Sequence, residues 1–206
     1  MSSISIVGLG NMARALAGRA LAGGNDVEII GRDQARAKEL AAALGGATVG
    51  TAGAPPTGDI VVLAVPYAGA AAVVSEYGDA LDGKVIIDVT NPVSPDAQGL
   101  VTPDGSSGAQ EIAKAAPGGA HVVKAFNTVF GHMLAQGNTL DVLLAGDDAE
   151  AKASVSAFIE SLGLRPLDTG SLGMARWLEG TGLVMIGLGN HGAGSFDFTL
   201  DVNTSA

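Results

Sequence analysis

The residues best suited by type and spacing to hold a ligand are two glycines and two arginines near the N-terminus. Gly8-Leu9-Gly10 follows the run Ser5-Ile6-Val7, and Asn11-Met12-Ala13 opens an alanine- and leucine-rich stretch with helical spacing. Glycine at 8 permits a sharp turn, and glycine at 10 lets backbone come close to a bound group. Ala13, in the third place, is small enough to pack a helix on a strand. The unpaired N–H groups and positive dipole end of that helix then face a pyrophosphate. In a chain with 31 glycines the pattern alone also fits an ordinary strand–turn–helix.

A discriminating feature comes at the end of the second predicted strand, residues 26–30. There an NAD-binding protein places an acid on the ribose 2′-hydroxyl, roughly 20 residues past the glycines. This chain reads Gly31-Arg32-Asp33, with Arg36 one helical turn later. A guanidinium keeps its charge and matches phosphate bidentately, and Arg36 falls on the same side of the following helix. Two such groups where an adenosine 2′-phosphate would sit predict NADP(H) rather than NAD(H). The competing reading is two solvated surface charges. Asp33 either caps the helix or partly repels the phosphate.

Those residues need a scaffold, and strand and helix signals alternate along the whole chain. That predicts an α/β fold, a doubly wound and mostly parallel sheet with helices on both faces. Strands are expected at 47–49, 59–65, 84–89, 121–126, 140–145 and 164–167. Helices are expected at 34–44, 68–77, 109–116 and 149–162, with a final helix from about Ser171. Residues 94–109 read as a long polar flap. The end, 189–206, reads as irregular, with 196–202 alternating like a short strand. No linker or internal repeat divides the chain, so one domain (1–170) carries an extension (171–206).

In such a sheet, ligands lie beyond the carboxyl ends of the strands where strand order reverses. Three further segments leave buried strands there: Val65-Pro66-Tyr67, Asn91-Pro92-Val93, and Asn127-Thr128-Val129-Phe130-Gly131. The prolines fix the chain's exit, and the Asn and Thr side chains can hold a nicotinamide carboxamide or a polar acceptor. Each segment by itself is also ordinary turn chemistry; three at successive strand ends favour a site. No Ser–His–acid triad or carboxylate pair stands out, so no catalytic residue is assigned. His132 is the nearest proton-handling candidate, although a lone histidine at a helix start is more often structural. This fits a cofactor that carries the chemistry itself while the protein aligns donor and acceptor.

Formal charge is −10, which disfavours nucleic acid and anionic membranes as partners. The charge is uneven: residues 1–38 hold five basic side chains against three acids, the remainder six against eighteen. The net-positive stretch is therefore the one assigned to the phosphates. With no cysteine and three scattered histidines, a metal centre is not expected. The N-terminus does not read as a signal peptide, and the most apolar segment, 60–74, is broken by Pro66 and too short for a bilayer. A cytoplasmic location is expected.

The chain resembles the NADPH:coenzyme F-420 (8-hydroxy-5-deazaflavin) oxidoreductases and the related cytosolic domains of membrane metalloreductases. The likeness is carried by Gly8-Leu9-Gly10-Asn11-Met12, by Gly31-Arg32 with Arg36, and by Val123-Lys124-Ala125-Phe126-Asn127-Thr128. The stretch from Gly146-Asp147-Asp148 through Gly163-Leu164-Arg165-Pro166-Leu167-Asp168 to Gly170 carries it too. Thr90 to Asp96 looks closer to the metalloreductase-like branch. The resemblance implies a Rossmann fold and a homodimer, with residues 171–206 completing the site and the dimer contact. It implies that Gly8 to Met12 hold the pyrophosphate, Arg32 and Arg36 the 2′-phosphate, and that Val65 and Pro66 flank the ribose. Val129 and Gly131 would lie by the nicotinamide, with a deazaflavin or flavin co-substrate stacked beneath Asn91 to Val93 and the flap. The function expected is hydride transfer between NADP(H) and that acceptor. A non-catalytic NADPH sensor and a reductase of a small imine or carbonyl remain as alternatives.

Overall fold

The computed structural model describes residues 2–203; of the C-terminal stretch read as irregular, 204–206 lie outside it. Eight strands form one sheet: β1 (Ser3–Val7), β2 (Asp26–Gly31), β3 (Thr48–Thr51), β4 (Ile60–Leu63), β5 (Val85–Asp88), β6 (His121–Ala125), β7 (Asp141–Gly146) and β8 (Arg165–Asp168). Their order is β3-β2-β1-β4-β5-β6-β7-β8. All neighbours are parallel except β6 and β7. The helices are α1 (Asn11–Ala22), α2 (Gln34–Leu44), α3 (Tyr67–Tyr77), α4 (Gly108–Ala115), α5 (Gly131–Ala135), α6 (Ala149–Ser161) and α7 (Ala175–Asn190). This is the doubly wound Rossmann arrangement, with the order reversing between β1 and β4.

Double winding follows from β-strand alternation combined with apolar residues at nearly every position. In β4, Ile60 and Val62 enter the core beneath α1 and α6, with Leu16, Phe126 and Phe158. Val61 and Leu63 enter the opposite core beneath α3 and α4, with Val74 and Ile112. The α1 face that meets the sheet is Ala13, Leu16, Ala17 and Ala20, none exposed. Three alanines among four let the helix axis lie close to the strands, which holds the glycine turn at the carboxyl end of the central strand β1.

The β7–β8 pair runs against the first six strands. After β6 the short α5 stays at the same end of the sheet instead of crossing back, so β7 returns antiparallel. Arg19 ties this turn to the core, donating to the carbonyls of Leu134 (2.9 Å), Leu162 (3.0 Å) and Asn138 (2.6 Å). The flap between β5 and α4 contains one isolated bridge, Val93 with Leu100.

The expected strand at 196–202 is not present; this segment has no regular structure. Its alternating pattern has another cause. Phe196 and Phe198 each meet the Phe130 ring edge-on, with centroids 5.3 Å apart. Val202 pairs with side chains rather than a strand: its N–H donates to Asp141 and its carbonyl accepts from Arg165.

Candidate dinucleotide site

The turn after β1 is shaped by what glycine lacks. Gly8 has φ +140°, and a Cβ there would collide with the Ala64 carbonyl. Its N–H donates to Ile30 (2.9 Å), binding the turn across the top of the sheet. Gly10 caps α1 with no side-chain partner, and a Cβ there would meet nothing within 4 Å. Space therefore lies open where Gly10 stands. The first ladder bond of α1 is Arg14 N–H to Gly10 O, leaving the N–H groups of Asn11, Met12 and Ala13 without helical partners. Gly131 keeps this end clear, since a Cβ there would sit 3.3 Å from the Met12 nitrogen.

A cleft of about 790 Å³ runs from this turn over the carboxyl ends of β1, β2 and β4. It gathers Gly8, Leu9 and Gly10 with Arg32 and Arg36, and on its other wall Val65 and Pro66. Both guanidiniums are exposed, and among the described residues neither has a carboxylate within ion-pair distance. Asp33 is turned to helix capping: its carboxylate accepts from the Arg36 N–H at 3.1 Å. The acid next to Arg32 is thus committed to backbone, and the two cations line the cleft, with Glu76 also among its lining residues.

The remaining expected residues do not line that cleft. Asn11 is exposed at the start of α1, and Met12 packs partly into the core. Tyr67 opens α3 and lies against Gly108, where a Cβ would stand 2.9 Å from its ring. Burial, and then the carboxylates of Glu111, Glu179 and Asp88, push the Tyr67 phenol above its ordinary value. Asn91 and Asn127 clasp each other: Asn91 donates to the Asn127 carbonyl (2.7 Å), and Asn127 donates to Asn91 Oδ1 (2.9 Å) and to Leu178 O (2.8 Å). Pro92 and Val129 are buried beside them. These residues form the strand-end wall beyond the glycine turn.

Behind that wall lies a group the sequence reading missed. Lys124, Asp88 and Glu179 have wholly buried side chains. The Lys124 ammonium donates to Asp88 (2.8 Å), Glu179 (2.9 Å) and the Thr90 carbonyl (2.6 Å). Glu179 also accepts from the N–H groups of Gly108 (2.9 Å) and Ala109 (3.2 Å), which open α4. A lysine within an apolar strand was the one available signal, because so hydrated a group is buried only with partners. His132 is engaged elsewhere, stacked on Phe130 and 3.2 Å from Asp197.

Residues 3–92 match the family model described as NADP oxidoreductase, coenzyme F420-dependent. The resemblance to that family stands. The chain is 32% identical over 179 residues to the metalloreductase STEAP3 of Rattus norvegicus, covering 85% of this chain and 35% of that protein. It is 29% identical over 140 residues to the F420-dependent NADP reductase of Methanocaldococcus jannaschii, covering 64% and 62%. The chain therefore spans about a third of one relative and under two thirds of the other. A solved structure from Arthrobacter sp. FB24, proposed as an F420-dependent NADP-reductase, superposes with a TM-score of 0.87 at 25% identity, covering 99% of this chain and 100% of that one. The matched segment contains the glycine turn, both arginines and the Val65-Pro66 wall, so the family likeness and the cleft coincide. Among the described residues no helix is long and apolar enough to cross a membrane, and no cluster of His, Asp and Glu is arranged to hold a metal.

Proposed function

We propose that the protein transfers hydride between NADP(H) and a flavin-like acceptor, either a deazaflavin such as coenzyme F-420 or a flavin. One observation carries this reading. Arg32 and Arg36 line the same cleft as Gly8, Leu9 and Gly10, the turn that leads into the uncapped start of α1, while Asp33 is bound to helix backbone. When bound, the nicotinamide supplies the hydride chemistry. The residues present fit the rest of the dinucleotide. Asn11, Met12 and Ala13 offer N–H groups to the diphosphate, Arg32 and Arg36 hold the 2′-phosphate, and Val65 and Pro66 exclude water along one side. Tyr67, Asn91, Pro92, Asn127, Val129 and Gly131 shape the nicotinamide end. No side chain at this end is assigned to proton transfer, as suits an acceptor whose own ring accepts hydride.

The relatives' names support this reading: an F420-dependent NADP reductase and a metalloreductase. The test mixes protein and NADPH with coenzyme F-420, FMN or a small cyclic imine and follows loss of reduced nicotinamide absorbance. Oxidation with a deazaflavin or flavin is expected. Firm NADPH binding without oxidation by any acceptor would convert the protein into a sensor, and oxidation by the imine alone would make it an imine reductase.

We also propose a homodimer built on α7. Met174 before that helix, and Trp177, Val184 and Leu188 along it, are all exposed. An exposed apolar stripe on a helix without exposed acids is where two acidic copies meet at low electrostatic cost. Light scattering is expected to give twice the chain mass, and Trp177→Glu to give the monomer.

A further inference from the structure

The buried ion cluster and the flap share one element, the start of α4. We infer that Glu179 is a positioning residue for the acceptor side of the site. Through the first turn of α4 it sets where the 94–107 flap stands. The inference rests on the redox reading for what the flap covers, but its geometry is independent of that reading.

Glu179 lies on α7 and its carboxylate is spent entirely on three donors: the Lys124 ammonium and the Gly108 and Ala109 N–H groups. Those N–H groups belong to the residues at which the flap ends. Ser107 caps the same turn through Gln110 N–H, and Ser106 donates to Glu111, so the flap's last residues are fastened to α4 as well. Tyr67, which follows the cleft-lining Pro66, also packs against Gly108. The turn is thereby held between the cofactor wall and α7.

Lys124 and Asp88 give the carboxylate a fixed seat. Asp88 accepts from the Thr90 N–H (2.8 Å), and Lys124 spends its third proton on Thr90 O, so the ends of β5 and β6 are bound into the same unit. Next to Glu179 in the chain, Leu178 O accepts from Asn127, and a Cβ at Gly182 would stand 2.5 Å from Asn91 Oδ1. One face of α7 thus meets the flap's end and both asparagines. The cluster holds two carboxylates to one ammonium; the start of α4, with its positive dipole end, compensates the extra negative charge. A buried cluster so fully bonded has one low-energy geometry, the property a positioning device needs.

Two variants test this. Glu179→Gln keeps the side-chain shape but turns an amide donor toward donors. Gly108→Ala keeps all three charged side chains of the cluster but places a Cβ 2.9 Å from the Tyr67 ring and 3.1 Å from Glu179 Oε1, pressing on the same contact from the α4 side. In hydrogen–deuterium exchange, each is expected to speed residues 94–110 by roughly tenfold while β1 to β4 stay protected. NADPH is expected to bind both within about twofold of the parent, because its phosphates lie on the other wall, and to slow exchange of 94–110 only in the parent. The acceptor KM is expected to rise at least fivefold or so, with its kcat less affected. Unchanged exchange at 94–110, or acceleration spread evenly over the sheet, would overturn the inference. A parent that oxidises no NADPH yet shows the localised exchange change would overturn the redox reading alone.

Discussion

Arg32→Ala tests the cofactor reading most directly. Both guanidiniums reach the cleft from exposed positions, so their contacts to a 2′-phosphate are charge-assisted but solvent-screened. Hydrogen bonds to charged groups are worth about 1.5–3 kcal/mol, and exposure places these at the lower end. Losing Arg32 is therefore expected to weaken NADPH by about 1.5 kcal/mol, roughly tenfold. Arg36→Ala should do much the same. The pair should cost about 2–2.5 kcal/mol, less than twice one, because both would share a single phosphate. NADH lacks that group, and its affinity should not change. Calorimetric titration of both cofactors against the parent and the three variants measures all of this. Two controls follow from the same physics: the NADPH preference should shrink with salt as screening shortens to a few ångströms, and decline below about pH 6 as the phosphomonoester dianion takes a proton and becomes a monoanion. Equal losses for NADPH and NADH, or a preference indifferent to salt, would refute the placement of these arginines.

Gly10→Ala and Gly8→Ala should separate binding from folding. The first adds a methyl to open space and should leave Tm unchanged while weakening both cofactors; the second drives Cβ into the Ala64 carbonyl and should lower Tm as well. Arg19→Ala removes donors from three carbonyls around α5 and α6. It is expected to cost about 2–3 kcal/mol and to lower Tm by roughly 5–10 °C, read by calorimetry. The tail's attachment should be acid-resistant. Hydrogen bonds from Arg165, and secondarily from the Val202 N–H, hold the Asp141 carboxyl below its usual range. This anchor is complete above the ordinary carboxylate value of about 4 and lost only as pH falls through the lower folded value. Exchange of the 196–203 amides should therefore stay slow at pH 5 and rise only in stronger acid, whereas Asp141→Asn should loosen the tail at neutral pH.

That the glycine turn and the two arginines share one cleft was legible because its determinants are local. A strand, two glycines and a helix occupy consecutive residues, and the arginines follow directly on the next strand. Helix α2 was equally legible: Asp33 caps it, and Gly45 ends it with φ +75°. The wall around Asn91 and Asn127 depends on contacts across the chain. Lys124 meets Asp88 and Glu179 at separations of 36 and 55 residues; Lys124 stands out within its apolar strand, but nothing in the sequence names its partners. Direction was also hidden, since nothing within β7 distinguishes a parallel from an antiparallel strand; the shortness of α5 decides it. At 196–202, alternation was taken for a strand because Phe196 and Phe198 flank one ring, a spacing that a strand and an aromatic clasp share.

The chain has one tryptophan, and it stands on the open face of α7 at 65% exposure. Intrinsic emission therefore comes from a single known place, free of the averaging that several indoles impose. A blue shift on concentrating the protein would register this face leaving water, and an unchanged spectrum would show that it stays wet. The absence of cysteine gives the same freedom to added probes: one thiol introduced at 101 or 196 could be labelled without background, turning the flap or the tail into a second, independent optical reporter.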